Sequence, residues 1–151
     1  MMIILINILL VLAAFLFMEF WAWFSHKYIM HGFLWYLHKD HHIRDGRKYE
    51  KNDWFAFMFA IPSAALIILG SGNAFDYRFY IGIGIALYGL AYFLFHDVYV
   101  HQRVNWLRNV ENKYLRATVK AHQDHHKPNT LKNFGFLLAP LRYYMEEYSK
   151  K

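Results

Sequence analysis

Histidine is the residue type with the most distinctive pattern in this chain. Five histidines fall within the 17 residues from His26 to His42, and the other five lie between His96 and His126. Each group has the same order, HxxxxH followed by HxxHH, and each HxxHH motif carries an aspartate before its two adjacent histidines. Neutral imidazole is the commonest side-chain metal ligand and suits Zn, Cu, Fe and Ni. The pattern therefore predicts a metal centre with these ligands: His26, His31, His38, His41, His42, His96, His101, His122, His125 and His126.

The spacing of the histidines indicates how the side chains are presented. The members of each HxxHH motif are three and four residues apart, so on a helix they lie on one face. The members of each HxxxxH motif diverge by roughly 140° on an ideal helix. Each HxxxxH pair therefore either binds two different ions or lies on a distorted turn such as a π-helical bulge. Because a structural zinc site closes at about four ligands, we expect two ions that share the histidines at about five each.

Three aspartates neighbour these histidines in the sequence, namely Asp40, Asp97 and Asp124. A carboxylate that accepts the second N–H of a metal-bound imidazole fixes the orientation of the ring. We expect the three aspartates to do this, and the alternative is that they are solvated acids in loops.

The composition limits the class of protein. With 151 residues the chain has room for one domain, which we take to cover residues 1–151. Because there is no cysteine, disulfides, thiolate-ligated haem, Cys-ligated Fe–S clusters and a cysteine nucleophile are excluded. The chain is 57% hydrophobic, and its net charge of +6 comes from basic residues that flank apolar runs. Membrane topology explains that charge better than nucleic-acid binding does.

Three apolar runs are predicted to cross a membrane: residues 2–24, 54–70 and 79–95. At about 1.5 Å per residue the first is long enough for a hydrocarbon core of about 30 Å, whereas the other two are at the short end. The alternatives are a buried core helix for the first run and a buried hairpin for the others. Gly82, Gly84 and Gly89 would allow close helix packing. The run from Phe134 to Pro140 is too short to span and is predicted to lie at the interface or form a pocket wall.

The basic residues indicate an orientation. Sixteen of the 17 lysines and arginines lie on the histidine side of the three runs, and only Arg78 lies in the connection between the second and third. The positive-inside rule then places both histidine groups and the C-terminus in the cytoplasm and the N-terminus outside. The sequence thus predicts an all-α, multi-pass membrane protein with a cytoplasmic, helical, histidine-rich di-metal site.

The motifs resemble those of a known family. They read His26-Lys-Tyr-Ile-Met-His31-Gly32, His38-x-x-His41-His42, Asn52-Asp53, His96-Asp97-x-x-Val100-His101-Gln102-Arg103, Ala121-His122-x-x-His125-His126 and Phe134-Gly-Phe-Leu-x-Ala-Pro140. Over nearly the whole chain they resemble the bacterial β-carotene 3-hydroxylases of the membrane fatty-acid hydroxylase and sterol desaturase superfamily. Val98, Tyr99 and Val104 depart from the family pattern, which has Gly, Leu and Trp there, so pocket shape and preferred carotenoid are expected to differ.

The resemblance implies an enzyme of the inner membrane with a non-haem di-iron centre. It would use O₂ and two electrons to hydroxylate C3 of a β-ionone ring, converting β-carotene to β-cryptoxanthin and then zeaxanthin. Zinc cannot supply that redox chemistry, although purified protein is expected to take up zinc. Ferredoxin and its reductase would supply the electrons. Docking of the donor is predicted at these basic residues: Arg44, Arg47, Lys48, Arg108, Lys113 and Arg116.

Three other functions are alternatives to this one. The first alternative is a fatty-acid or sterol hydroxylase or desaturase of the same superfamily. The residues between the histidines of the motifs argue against it. A metal transporter would carry histidines within its spans, whereas here they follow the spans. A membrane-anchored structural module would leave ten patterned histidines unexplained.

Overall fold

The computed structural model describes residues 1–43, 49–72, 74–104, 112–128 and 130–150, and all regular elements in that part of the chain are helical. The α-helices are α1 (Met2–Phe24), α2 (Trp35–His42), α3 (Trp54–Ser71), α4 (Tyr77–Tyr92), α5 (Lys113–His125) and α6 (Leu141–Ser149). Two π-helical segments, Ser25–Phe33 and Phe93–Val100, continue α1 and α4, and a short 3₁₀ turn, Lys51–Asp53, leads into α3. The prediction of an all-α protein is therefore confirmed.

Three of the continuous helices are long and apolar enough to cross a membrane: Met2–Phe33, Lys51–Ser71 and Tyr77–Val100. Each contains the whole of one predicted apolar run. Large apolar side chains point outward along α1, with Ile3 71% and Leu16 68% exposed. Such a surface is stable only against lipid tails or an apolar partner, which supports the prediction of a membrane protein.

Helix α4 lies between α1 and α3 and packs against both. A methyl group on Gly82 would lie 2.8 Å from Ile67 Cγ1, and one on Gly84 would lie 2.5 Å from the carbonyl oxygen of Val11. Only glycine permits these approaches, so the predicted role of these two residues in close packing is confirmed. At Gly89, by contrast, no described atom lies within 4 Å of an added methyl group, because Gly89 borders a cavity.

Candidate metal centre

The ten predicted ligands converge where the π-helical segments, α2 and α5 meet. Nine of them form two groups, and within each group the ligand atoms lie within 4.8 Å of one another. The five-histidine cluster consists of His26, His31, His38, His42 and His125, and the four-histidine cluster consists of His41, His96, His101 and His122. The ring of His126 lies 4.3 Å from that of His42 and 4.6 Å from that of His122, so it stands between the two clusters.

The HxxxxH pairs lie on π-helix. His26 and His31 lie in the segment Ser25–Phe33. His96 lies in the segment Phe93–Val100, and His101 directly follows that segment. In π-helix the backbone bonds run from i to i+5, so residues five apart are about one turn apart and point in similar directions. Both members of each pair therefore join the same cluster. Of the two alternatives left open by the spacing, the structure shows the distorted turn.

The HxxHH motifs divide between the clusters. On α2, His38 and His42 join the five-histidine cluster while His41 joins the four-histidine cluster. On α5 the division is between His125 and His122. Helices α2 and α5 thus lie between the clusters, and each contributes ligands to both. Residues three apart on a helix differ by about 60° in direction, which is enough to face different neighbours.

The distances between facing nitrogens fit metal ligation. The Nε2 atoms of His26 and His38 are 3.1 Å apart, those of His31 and His125 3.0 Å, and those of His101 and His122 2.9 Å. Imidazole binds a first-row ion such as zinc at roughly 2.1 Å, so two ligands at right angles have nitrogens about 3 Å apart. The clusters therefore have the dimensions of sites for such ions.

The outward nitrogens fix the tautomers of several rings. Nδ1–H of His26 donates to the carbonyl oxygen of Phe134 at 2.9 Å, and Nδ1–H of His38 donates to Asn52 Oδ1 at 2.6 Å. A neutral ring that donates from Nδ1 has a bare lone pair at Nε2. The Nε2 atoms of His26 and His38 thus face each other as two acceptors, which is unfavourable unless a cation lies between them.

Two buried nitrogens of the four-histidine cluster also indicate a bound ion. Nδ1–H of His41 donates to Glu50 and Nδ1–H of His96 donates to Asp97, both at 2.9 Å. The Nε2 atoms of His41 and His96 are buried and have no hydrogen-bond partner among the described residues. A buried polar atom without a partner is rare in a folded protein, and an ion accounts for both.

Burial keeps the rings of α2 and α5 neutral. Burial first, and the neighbouring imidazoles after it, lower the pKa of His38 and that of His42 to about 3. The pKa values of His41 and His122 are likewise well below the usual value, first because of burial and then because of nearby histidines. These rings are uncharged at neutral pH, which is the protonation state that ligates a metal.

The predicted orienting carboxylates are only partly where the sequence suggested. Asp97 accepts from His96. Asp40, however, accepts from the backbone amide of Lys51 at 2.7 Å, and Asp124 accepts from Tyr143 at 2.8 Å and from a lysine. A residue next to a ligand on a helix points about 100° away from it, so adjacency does not bring Asp40 or Asp124 to a neighbouring imidazole.

Two orienting residues were missed by the sequence reasoning. Glu50 holds His41, and Asn52 holds His38. Both lie at the start of the 3₁₀ turn, where Glu50 and Asp53 form a reciprocal capping box. The available signals were Asn52-Asp53, already part of the family resemblance, and the E-x-x-D spacing before the apolar run of α3.

Replacing Asn52 should weaken metal binding. Asn52→Leu removes the acceptor of His38 Nδ1–H, and loss of such a partner costs about 10- to 100-fold in metal affinity or activity. Asn52→Asp keeps an acceptor and should retain most of the affinity. Titration of both variants with Co²⁺, followed by visible absorption, would measure this; equal affinity for Asn52→Leu and the unchanged chain would contradict it.

A largely apolar cavity of about 760 Å³ adjoins the clusters. Its walls include Phe55, Ala56, Phe59, Ala60, Ala64, Ile67, Ile85, Tyr88, Tyr92, Phe93 and Phe136, and its polar end includes Asn52, Asp53, Asp97 and Arg103. The ring of Tyr92 stacks on His96 at 4.7 Å, and that of Phe136 stacks on His26 at 4.7 Å. The cavity wall therefore contacts both clusters, and Phe134–Pro140 contributes to a pocket wall, which was one of its two predicted roles.

At the polar end of the cavity Arg103 donates to both carboxylate oxygens of Asp53, at 2.6 and 2.8 Å. The pKa of Arg103 is raised, first by this hydrogen bonding and then by the charges of Asp53 and Asp97. Arg103 also lies 3.8 Å from Asp97, the partner of His96. The arrangement can thus hold two metal ions and present them to an apolar molecule in the cavity.

Comparison with known proteins agrees with this chemistry. The profile of the family described as fatty acid hydroxylase matches residues 11–144. The chain is 39% identical to a β-carotene hydroxylase from Pseudescherichia vulneris over 140 residues, covering 89% of this chain and 78% of that protein. It is 38% identical to a β-carotene hydroxylase from Paracoccus sp. over 138 residues, covering 89% and 85%.

A plant protein is also similar. The chain is 40% identical to the chloroplastic β-carotene 3-hydroxylase 2 of Arabidopsis thaliana over 114 residues, which cover 72% of this chain and 37% of the plant protein. No solved structure matches the chain with statistical significance. On the profile match and the bacterial relatives, the chain belongs to the fatty acid hydroxylase family, as the histidine motifs predicted.

Proposed function

We propose that this protein hydroxylates C3 of the β-ionone ring of carotenoids, converting β-carotene to β-cryptoxanthin and zeaxanthin with O₂. The observation that carries the proposal is the contact between two histidine clusters and a 760 Å³ apolar cavity within membrane-spanning helices. The bacterial relatives that the chain resembles over 89% of its length are β-carotene hydroxylases, which names the substrate.

The proposed metals are two iron ions, one held by each cluster with His126 between them. Bound there, iron would supply the redox chemistry that activates O₂ for insertion into a C–H bond, with two electrons from a donor. The protein ligands are all imidazoles, unlike the carboxylate-rich di-iron sites of soluble helical bundles. Because imidazole binds several first-row ions, zinc is expected to compete in purified protein.

The chain itself would bind and orient the substrate. Ala56, Ala60 and Ala64 lie four residues apart on α3 and line the cavity, yet all three are exposed. The cavity is therefore open along α3, on the side that would face lipid. A carotenoid dissolved in the bilayer can enter there and place its ring near Tyr92 and Phe136, which contact the two clusters.

Filling this opening should weaken substrate use without removing metal. Ala60→Phe adds a ring inside the cavity and should raise KM at least about tenfold, equivalent to about 1.4 kcal/mol. Ala65→Phe is the matched control, since Ala65 is exposed on the same helix and is not among the cavity residues. Product analysis in membranes and metal content per chain would be measured. Equal KM values for the two variants would exclude this entrance.

Two of the residues that depart from the family pattern lie at this cavity or near a predicted ligand. Val104 lines it, and Val98 is completely buried in the π-helical segment beside His96. Because valine is smaller than tryptophan, Val104 leaves more room in this cavity than the residue of the family pattern would. We therefore propose that these residues adjust which ring, plain or 4-keto, is preferred.

Electrons are proposed to come from ferredoxin and its reductase. A second cavity of about 510 Å³ is lined by His42, His101, His122, His126 and three neighbours, and it shares no residue with the apolar cavity. It offers a separate approach to the metals. Four of the six basic residues predicted to dock the donor lie outside the described residues: Arg44, Arg47, Lys48 and Arg108.

The other two predicted docking residues hold α6 against α5. Lys113 donates to the carbonyl oxygen of Lys150 at 3.0 Å, and Arg116 donates to Glu147 at 3.3 Å. Their charges are partly engaged, so we assign the larger share of donor docking to the surface around the second cavity.

We further propose that the protein lies in the inner membrane with the metal centre on the cytoplasmic side. Sixteen of 17 basic residues lie on the histidine side of the spans, which supports this orientation. A tag at the C-terminus should be digested by protease only after the cells are opened, while a tag at the N-terminus should be digested from outside. The reverse pattern would overturn the orientation.

A fatty acid is the second candidate substrate, because the matching family profile is described as fatty acid hydroxylase. An acyl chain would also fit an apolar cavity that is open to lipid. Supplying the host with β-carotene or with labelled fatty acid, and analysing pigments and lipids separately, distinguishes the two.

A further inference from the structure

Glu19 is the only charged residue in α1. Its carboxylate accepts hydrogen bonds from the backbone amides of Phe136, Leu137 and Leu138 at 3.2, 3.1 and 3.0 Å. It also accepts from the hydroxyl of Tyr88 at 2.7 Å. An ionisable group within a membrane span is costly, and such residues usually mark function. Here the cost is offset by four donors that converge on one side chain.

The loop that Glu19 holds is in contact with the metal centre. The carbonyl oxygen of Phe134 accepts from His26 Nδ1–H at 2.9 Å, and the ring of Phe136 stacks on His26. The ring of Phe134 also lies 5.2 Å from that of His31 and 5.1 Å from that of His125. One short loop therefore touches three of the five ligands of the five-histidine cluster.

The loop is tightly folded. A methyl group on Gly135 would lie 2.4 Å from the carbonyl oxygen of Leu138 and 3.6 Å from Glu19 Oε1. The amides of this turn point inward, and in an apolar environment each needs an acceptor. A carboxylate offers two oxygens that only accept, whereas an amide such as glutamine would turn N–H groups toward N–H groups.

We propose that Glu19 is a positioning residue for the metal centre: from within the first membrane-spanning helix it fixes the Phe134–Leu138 loop, and through that loop the ring of His26. The same carboxylate fixes Tyr88, which lines the apolar cavity, so one side chain sets both the ligand and the wall facing the substrate. This inference rests on the proposed metal-dependent function.

The test uses the full chain in detergent, loaded with Co²⁺, in a His122→Ala background that disables the four-histidine cluster. Glu19→Gln should lower Co²⁺ affinity about 10- to 100-fold and shift the visible absorption bands, as loss of an orienting partner does. In the otherwise unchanged enzyme, Glu19→Gln should lower kcat more than it raises KM. Glu146→Gln is the matched control, because Glu146 is exposed at the surface, where it pairs with Lys120.

Gly135→Ala provides a second variant that disturbs the same loop without changing α1. It should shift the Co²⁺ bands in the same way, and it decides the matter alone if Glu19→Gln does not accumulate in membranes. Unchanged bands and affinity in either folded variant would overturn the role of Glu19. Failure of the His122→Ala parent to bind Co²⁺ would instead refute the proposed metal centre, so the two failures are distinguishable.

Discussion

A bacterial host that makes β-carotene and expresses this chain aerobically with iron should accumulate zeaxanthin, and the same host with His41→Ala should not. The ring of His41 lies 4.3 Å from that of His101 and 4.9 Å from that of His96, and its Nε2 is buried without a partner among the described residues. Removing this ring takes one ligand from the four-histidine cluster. Catalytic metals tolerate little change in ligand geometry, so the expected loss of hydroxylated pigment is complete.

The control for this experiment lies on the same helix. Lys39→Ala changes an exposed residue of α2 two positions before His41 and should leave zeaxanthin formation unchanged. Pigments would be separated by chromatography, with the amount of protein in the membrane measured in parallel. If the unchanged chain is folded and iron-loaded yet makes no hydroxylated carotenoid, the substrate assignment is wrong and a fatty acid or sterol becomes the leading substrate.

The sequence was sufficient to predict the helical fold and the membrane spans because the length of an apolar run can be read directly from the order of the residues. It was also sufficient to identify the histidines as the candidate metal ligands, and the structure brings all ten together. The i, i+5 spacing of His26 and His31 even restricted the local geometry to two alternatives. Choosing between them required the backbone conformation, which is π-helical at this pair.

The division of ligands was not predictable from spacing. His122 and His125 are three residues apart in one motif, yet they face different clusters because α5 lies between the two clusters. The orienting residues were hidden for a related reason. Glu50 and Asn52 reach His41 and His38 only because the 3₁₀ turn folds back on α2. Such contacts depend on tertiary placement, which a single sequence does not reveal.

The cavity and its surroundings were predictable in part and hidden in part. Small residues at Ala56, Ala60 and Ala64 were visible as a four-residue repeat, but nothing in the sequence showed that the facing helix would leave space there. Glu19 was visible as a lone charge in an apolar run. Three of its four partners are the backbone amides of a loop more than a hundred residues away, for which side-chain patterns give no signal.

The grouping of ligands leads to the second large effect, which concerns metal content. His122→Ala and His125→Ala combined should remove both ions, because the two rings belong to different clusters. His31→Ala and His125→Ala combined should remove only the ion of the five-histidine cluster, and no more than His125→Ala does alone. Two changes at one site are strongly non-additive, whereas changes at separate sites add.

Iron per chain, measured by elemental analysis, and Mössbauer spectra of the remaining iron would separate these cases. The matched comparison is between the two double variants, which share His125→Ala and differ only in the second ligand removed. Grouping by motif makes the opposite prediction, since His122 and His125 lie in the same HxxHH motif and would then share one ion. One cluster has enough ligands to hold one ion. If the variant with both His122→Ala and His125→Ala retained about one ion per chain, the division of ligands seen in the structure would be refuted.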